Sequence, residues 1–295
     1  AKPVHRLTSI TIPDTVVTIG KSAFSRCTGL ATVTIPQGVV SIGDSAFYGC
    51  TFLTGIIIPD SVDSIGKEVF SLCTSLTGIN LPGSIESIGD FAFSSCMALK
   101  DITLGSGIKN IGYGVFQNCM SLTGITYPDS VVKIDSFSFL GCTALTEINV
   151  DVANPGYMSV DGIVFDKTGS TLVQYPQGRT NTSYAVPSGV TILGDGAFAE
   201  CSYLTDITIP GGVVTIGNGA FFECSSLSGI TLPDSITGIG DYAFQDCISM
   251  VYIVMSEGIT SIGDSTFKYC ESLSDITIPK NVTGIGESAF YGCTV

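Results

Sequence analysis

One spacing constrains the fold of this chain more than any other feature: a phenylalanine followed three residues later by a cysteine, again and again. Each cysteine lies 23 residues after the last, except that 59 residues separate Cys142 from Cys201. The eleven cysteines are Cys27, Cys50, Cys73, Cys96, Cys119, Cys142, Cys201, Cys224, Cys247, Cys270 and Cys293. A fixed period of this length predicts a solenoid, in which each repeat, here called a rung, packs only on its neighbours.

Within a rung, the apolar positions predict short strands. The segment 10–12 (Ile-Thr-Ile) alternates, as a half-buried strand does, and residues 13–15 (Pro-Asp-Thr) suit a tight turn. Residues 16–19 form a second extended piece, ended by Gly20, where a bend leaves no room for a side chain or has φ above zero. Residues such as Asp44, after the glycine, suit the cap of a short helical turn. We therefore predict a β-rich, right-handed solenoid with short strands and short helical turns.

The period favours one elongated domain over residues 1–295, although the length alone suggests two domains. Regular repeats cover residues 7–144 and 184–295, and an irregular repeat with an insertion covers 145–183. In the insertion, residues 162–165 and 171–175 flank a five-residue loop, a pattern typical of a β-hairpin.

The regular spacing of the cysteines favours buried, unpaired thiols, because each one occupies the same apolar position. Stacked rungs would bring the thiols close together, so disulfides stay a geometric alternative. The chain lacks close cysteine pairs and has one histidine, His5, which argues against a metal site and against a catalytic residue with a histidine base. We expect no catalytic residues and no cofactor; the acids Asp151, Asp161 and Asp166 leave calcium or catalysis as a minor alternative.

The net charge of the chain argues against some classes of partner. Lys plus Arg number 12 and Asp plus Glu 26, for a net charge of −14, which argues against nucleic acid and against an anionic membrane surface. No segment approaches the roughly 20 apolar residues of a membrane span. Residues 1–6 lack the apolar run of a signal peptide and do not begin with Met, so we expect a processed form or part of a longer chain.

The full rung pattern is Leu-x-x-Ile-x-Ile-Pro-x-x-Val-x-x-Ile-Gly-x-x-Ala-Phe-x-x-Cys. It resembles the BspA-like class of leucine-rich repeats over nearly the whole chain, although Thr15, Gly38, Ser61 and Ser84 stand where typical leucine-rich repeats carry Asn or Cys. The resemblance implies a cell-surface or secreted protein of a bacterium or parasitic protist, with adhesion as the family's implied role.

One outward strand position holds mainly threonine from rung to rung, and residues that depart from the usual outward residue types are candidate contacts for a partner. Val251, Tyr252 and Val254 replace the usual Thr, Ser, Gly or Asp and form the preferred candidate site. The insertion adds four candidates: Tyr157, Asp166, Lys167 and Arg179. Asn181 and Asn281 lie in possible N-glycosylation sequences, which matter only in a eukaryote.

These features predict a non-enzymatic binding module that engages a protein or glycan on another cell or matrix. The alternative is a structural stalk that separates another domain from the cell. An enzyme would need a cleft that the repeat does not supply.

Overall fold

A computed structural model describes residues 7–295, so His5 lies outside the described part of the chain. The chain divides into two compact units, one ending at Gly156 and the other comprising Tyr157–Val295. We call them the N-terminal and C-terminal units and describe each by itself. The expected organisation as one domain stays a prediction.

The described residues form 25 strands of two to four residues each. The strands of the N-terminal unit are β1 (Ser9–Thr11), β2 (Thr18–Ile19), β3 (Thr32–Thr34), β4 (Ser41–Ile42), β5 (Ser64–Ile65), β6 (Gly78–Asn80), β7 (Ser87–Ile88), β8 (Asp101–Thr103), β9 (Asn110–Ile111), β10 (Gly124–Tyr127), β11 (Lys133–Ile134) and β12 (Glu147–Val150). Those of the C-terminal unit are β13 (Tyr157–Val160), β14 (Ile163–Asp166), β15 (Thr171–Gln174), β16 (Ser183–Ala185), β17 (Ile192–Leu193), β18 (Asp206–Thr208), β19 (Thr215–Ile216), β20 (Gly229–Thr231), β21 (Gly238–Ile239), β22 (Tyr252–Val254), β23 (Ser261–Ile262), β24 (Asp275–Ile276) and β25 (Gly284–Ile285).

Successive rungs pair in parallel with a register of one repeat, which confirms the predicted β-solenoid. The longer strands pair as β1–β3, β6–β8 and β10–β12 in the N-terminal unit and as β16–β18 and β20–β22–β24 in the C-terminal unit. The shorter strands form a second sheet, ordered β11–β9–β7–β5–β4–β2 in the N-terminal unit. In β3 the central Val33 is buried between exposed Thr32 and Thr34, as the alternation predicts.

The sequence predicted short helical turns in the residues after each recurring glycine. This prediction is wrong, since residues 7–295 contain no helix. In the rung of Phe47, Ser45 has φ 55° and Gly49 has φ 68°, so left-handed residues four positions apart interrupt any right-handed helix. The N–H groups alternate in direction: that of Phe47 donates to the Val69 carbonyl of the next rung at 2.9 Å, whereas that of Ala46 donates within its own rung. This segment therefore acts as a third contact surface between rungs.

Two of the buried columns follow from the Phe–Cys spacing, a column being the residues at one position in successive rungs. The phenylalanine rings stack with centroids 5.1 to 5.8 Å apart, as between Phe221 and Phe244 or Phe93 and Phe116. Apart from Cys201, each buried cysteine thiol donates to the carbonyl of a phenylalanine in the preceding rung, as Cys119 Sγ does to Phe93 at 3.2 Å. The Phe–Cys spacing thus builds a core that repeats from rung to rung.

The recurring glycine is required by close approach and not by its backbone angle. Gly43, Gly66 and Gly89 are not among the residues with positive φ, so the expectation of φ above zero is wrong. A Cβ on Gly89 would lie 2.6 Å from the backbone carbon of Gly66, in the preceding rung. The expected lack of room for a side chain is therefore confirmed at Gly43, Gly66 and Gly89, but it is wrong at Gly20, where a Cβ would meet no atom within 4 Å.

The aspartates that follow these glycines cap the next rung, which corrects the prediction that they cap a helical turn in their own. Asp241 Oδ1 accepts a hydrogen bond from the backbone N–H of Asp264 at 2.8 Å, and Asp264 Oδ1 accepts from Glu287 at 2.7 Å. Asn218 plays the same part toward Asp241 at 2.9 Å. These side chains therefore stabilise the stacking of rungs by satisfying a backbone N–H of the rung that follows.

The insertion contains the predicted hairpin, formed by antiparallel β14 and β15, and one strand that the sequence did not indicate, β13. β15 also pairs in parallel with β17, so the hairpin is part of the solenoid sheet. Tyr175 then takes the place of a core phenylalanine: its ring lies 5.3 Å from that of Phe198, and its N–H donates to Ala197. The insertion therefore supplies most of one irregular rung.

Candidate binding surface

The outward side chains of the longer strands form a regular exposed surface in each unit, which we call the strand face. In the C-terminal unit it comprises residues 182–185, 205–208, 228–231, 251–254 and 274–277. Parallel pairing places Tyr252 beside Gly229 on one side and Asp275 on the other.

The three preferred candidates lie together on this face, at β22. Val251, Tyr252 and Val254 are 47%, 42% and 52% exposed, whereas Ile253 between them is buried in the core. An exposed apolar group of this kind, among mainly small polar residues at the same positions of other rungs, is typical of contact surfaces. Their role in binding stays a prediction.

The Tyr252 ring lies over Gly229 of the preceding rung. A Cβ added at Gly229 would meet three atoms of that ring at 2.3 to 2.6 Å, so only glycine leaves the ring this place. Gly229 is buried under it, whereas Gly55, Gly78 and Gly124, at the same position in other rungs, are half-buried. The tyrosine is therefore held along the sheet by the residue beside it, a contact that sequence reasoning missed.

The charge around Tyr252 is negative. Asp275 lies in the next rung and Asp206 two rungs before, both exposed and at the same strand position as the tyrosine. The strand face of the C-terminal unit, as defined above, contains no Lys or Arg.

The hairpin residues form a separate set of contacts. Tyr157 in β13 pairs in register with Asp166 at the end of β14. Although partial burial opposes it, hydrogen bonds from the Thr168 hydroxyl, the Thr171 N–H and the Ser170 hydroxyl hold the pKa of Asp166 below its usual value. Asp166 thus organises the loop as an anion, and the exposed Lys167 follows it in that loop.

Arg179 contacts the interior side of the insertion. Its guanidinium lies 5.6 Å from the centre of the Tyr175 ring and donates to the carbonyl oxygen of Asp161. Burial raises the pKa of Tyr175 and that of the neighbouring Tyr184, the latter to about 12. Arg179 therefore has a structural role in the insertion, as Asp166 has in the loop.

Two shallow grooves on the strand face of the N-terminal unit escaped the sequence analysis. One, with a volume of about 560 Å³, runs past Gly55, Gly78 and Ile57, and Ile57 is 82% exposed. The other, of about 550 Å³, lies over Gly124 between Asp101 and Glu147. Glycines among larger residues in the outward column are the signal that would have indicated both.

None of the eleven cysteines forms a disulfide. Burial raises the pKa of the Cys50 and Cys119 thiols to about 12, so both stay protonated at neutral pH. Within residues 7–295, no three His, Cys, Asp or Glu side chains are grouped to hold a metal ion. Over the same residues, no helix has the length and apolar character needed to cross a membrane.

The parallel rungs, short strands and repeating core define a β-solenoid of the leucine-rich repeat class, with about twelve turns of about 23 residues. The model of the BspA type leucine rich repeat region matches residues 3–119, 73–186 and 175–295, in six copies of the repeat region. The chain therefore belongs to the BspA-type leucine-rich repeat family, which confirms the resemblance seen in its rung pattern.

Solved structures agree with this assignment. A leucine rich cell surface protein from Faecalibacterium prausnitzii is 28% identical, with a TM-score of 0.66 over 98% of this chain and 80% of that one. A leucine-rich repeat protein from Bacteroides ovatus is also 28% identical, with a TM-score of 0.54 over 97% and 85% of the two chains. The pneumococcal vaccine antigen PcpA shares the fold at 22% identity, with a TM-score of 0.71 over 95% and 84%.

No curated protein matches the sequence. The family is a class of repeat binding and scaffolding proteins and is not known for catalysis.

Proposed function

We propose that this chain is a non-enzymatic binding module, displayed on a cell surface or secreted, that adheres to a protein or glycan of another cell or matrix. The observation that carries the proposal is the exposed group of Val251, Tyr252 and Val254 on the strand face. The similarity to a bacterial cell-surface protein supports the location.

A regular solenoid suits this task because its outward positions are free to vary. The core columns fix the backbone of β22 through Ile253, and the side chains on the other side of the strand do not affect core packing. Exposed apolar side chains then cost the fold little and bury apolar area when a partner binds.

The test is capture on an array of purified matrix proteins and cell-surface glycans by the 295-residue chain. The variant Val251→Thr, Tyr252→Thr, Val254→Thr introduces the most frequent polar residue of this strand face, and we expect it to lose at least nine-tenths of the capture. The matched control is Ile192→Thr, Tyr203→Thr, Val214→Thr, three exposed residues of the same unit outside the strand face; it should bind as the parent does.

The hairpin is tested without deleting it, because β15 is paired with the solenoid sheet. Lys167→Ala changes the loop and leaves the strands intact. Capture lost with Lys167→Ala and kept by the strand triple variant would move the site to the hairpin. Capture by none of the chains would contradict the proposal and favour a structural stalk.

A further inference from the structure

We propose that Tyr252, with Asp206 and Asp275 on either side, binds an arginine side chain of a protein partner. This inference rests on the proposed binding function and specifies the chemical class of the partner. The site would take a planar cation that stacks on an aromatic ring and pairs with a carboxylate.

The first argument is the orientation of the aromatic ring. Because the Tyr252 ring lies against the backbone of Gly229, one face of the ring is covered by the protein. The side chain is still 42% exposed, so its remaining surface is available to a partner. A ring held in this way loses little conformational freedom on binding, which favours affinity.

The second argument is charge. Asp275 is the direct cross-strand neighbour of Tyr252 in the parallel pair of β22 and β24, and neighbouring strands lie about 4.7–4.9 Å apart. The ring leans the other way, over Gly229, toward the column position of Asp206. Among the described ion pairs, none involves Asp206 or Asp275, so neither charge is already neutralised by a Lys or Arg.

The combination favours guanidinium over other ligands. An arginine stacks on an aromatic face and donates two parallel hydrogen bonds to a carboxylate, which a lysine ammonium does not do. Anionic ligands are repelled by the two aspartates and by the net charge of −14. A neutral sugar would stack on the ring but would gain nothing from the charge, so the dependence on charge separates the two ligand classes.

The same column of the N-terminal unit provides a contrast. There Asp101 and Glu147 flank Gly124, which has no aromatic ring over it, and Lys100 precedes Asp101. Carboxylates are thus present on both strand faces, whereas the aromatic ring is present on one. Asp101→Asn is therefore a matched control for charge removal.

The experiment measures the affinity of the 295-residue chain for three defined peptides by surface plasmon resonance: Gly-Arg repeated four times, Gly-Lys repeated four times and Gly-Glu repeated four times. We expect the arginine peptide to bind at least fivefold tighter than the lysine peptide, no binding of the glutamate peptide, and weaker binding as salt rises. Tyr252→Thr should weaken arginine binding at least tenfold, and Asp275→Asn about fivefold. Tyr252→Phe, which keeps the ring, and Asp101→Asn should bind as the parent does.

Unfolding midpoints equal to that of the parent would show that the variants fold. Equal affinity of Tyr252→Thr and parent for the arginine peptide would overturn the inference, as would equal binding of the arginine and lysine peptides. Tyr252-dependent binding of a neutral oligosaccharide, with no binding of the arginine peptide, would assign the site to a glycan instead. If array capture depends on Val251, Tyr252 and Val254 but the arginine peptide does not compete, this inference fails and the proposed function stands; no array capture at all contradicts the function itself.

Discussion

The interior columns and the strand face follow opposite rules, although they are built from the same strands. In the interior, Phe93, Phe116 and Phe139 stack on one another, and each ring needs the next one to complete its packing. On the strand face, one column changes from Gly229 to Tyr252 to Asp275 over three rungs. Packing between rungs therefore restricts which residue types the interior can hold. It places no such restriction on the strand face, where the residue types can suit a partner.

The irregular rung shows how strictly the interior restricts its residues. Tyr175 replaces a phenylalanine, and the hydrogen bond from Cys201 Sγ to its carbonyl lengthens to 3.9 Å, against 3.0 Å from Cys224 to Phe198. The backbone of Tyr175 still makes the rung-to-rung bond to Ala197 at 2.7 Å. A change of one core side chain is accommodated, whereas the backbone contacts between rungs are preserved.

The largest effect that separates the two regions is expected from removing a core ring. Phe116 is fully buried between Phe93 and Phe139, with centroids at 5.8 and 5.4 Å, so Phe116→Ala leaves a cavity in the stack. We expect the free energy of unfolding to fall by about 3–5 kcal/mol, measured by chemical denaturation. Phe52→Ala, at a ring that is 57% exposed, should cost less than about 1 kcal/mol. A loss below about 1 kcal/mol for Phe116→Ala would contradict the assignment of this column to the core.

The sequence predicted the interior well because its period reports contacts that every rung repeats. The cysteines were predicted to be buried from their spacing alone, and all of them are buried except Cys27 and Cys293, which are half-buried. The helical turns were predicted wrongly because the same residues permit a second solution, in which Ser45 and Gly49 take positive φ and alternate N–H groups bond to the next rung. The preference of aspartate for the cap of a helical turn is a local signal, and it does not report hydrogen bonds between rungs.

The candidate site was predicted in part. The departure of Tyr252 from its column was visible in the sequence, but its contact with Gly229 depends on the direction of the side chain, which no pattern gives. Likewise, β13 has no repeat to match, so its pairing with β14 could be found only in three dimensions. Outside the period, the sequence placed the hairpin of β14 and β15 but not β13 or the ring of Tyr252.

A smaller effect is expected where the backbones of two rungs approach each other. The Cβ of Gly89→Ala would lie 2.6 to 2.7 Å from backbone atoms of Gly66 and Lys67, which cannot move without separating the rungs. We expect a loss of about 1–3 kcal/mol in chemical denaturation. Gly20→Ala, at the same position in the first rung, meets no atom within 4 Å and should change stability by less than about 1 kcal/mol. Equal losses in the two variants would show that backbone conformation, and not close approach, requires the glycine.

The smallest effect is expected in the partly exposed acidic column that contains Glu223 and Asp246. Burial, and then repulsion from Asp246 in the next rung, raise the pKa of Glu223 above its usual value. The folded state therefore disfavours the charged carboxylate of Glu223. This cost in folding free energy is present at neutral pH, and it disappears as the pH falls through the folded pKa to the ordinary pKa of about 4.3. Glu223→Gln should raise the midpoint of guanidinium denaturation slightly at pH 7, with no gain at about pH 3.5.

Asp246 supplies the control for this column. Asp246→Asn removes the second cause of the raised pKa but leaves Glu223 partly buried, so it should give a smaller gain at pH 7 than Glu223→Gln. Because the two variants remove the same repulsion, the double variant should gain less than both single gains together. Additive gains would contradict repulsion between Glu223 and Asp246. A gain from Glu223→Gln that is as large at about pH 3.5 as at pH 7 would contradict the raised pKa of Glu223.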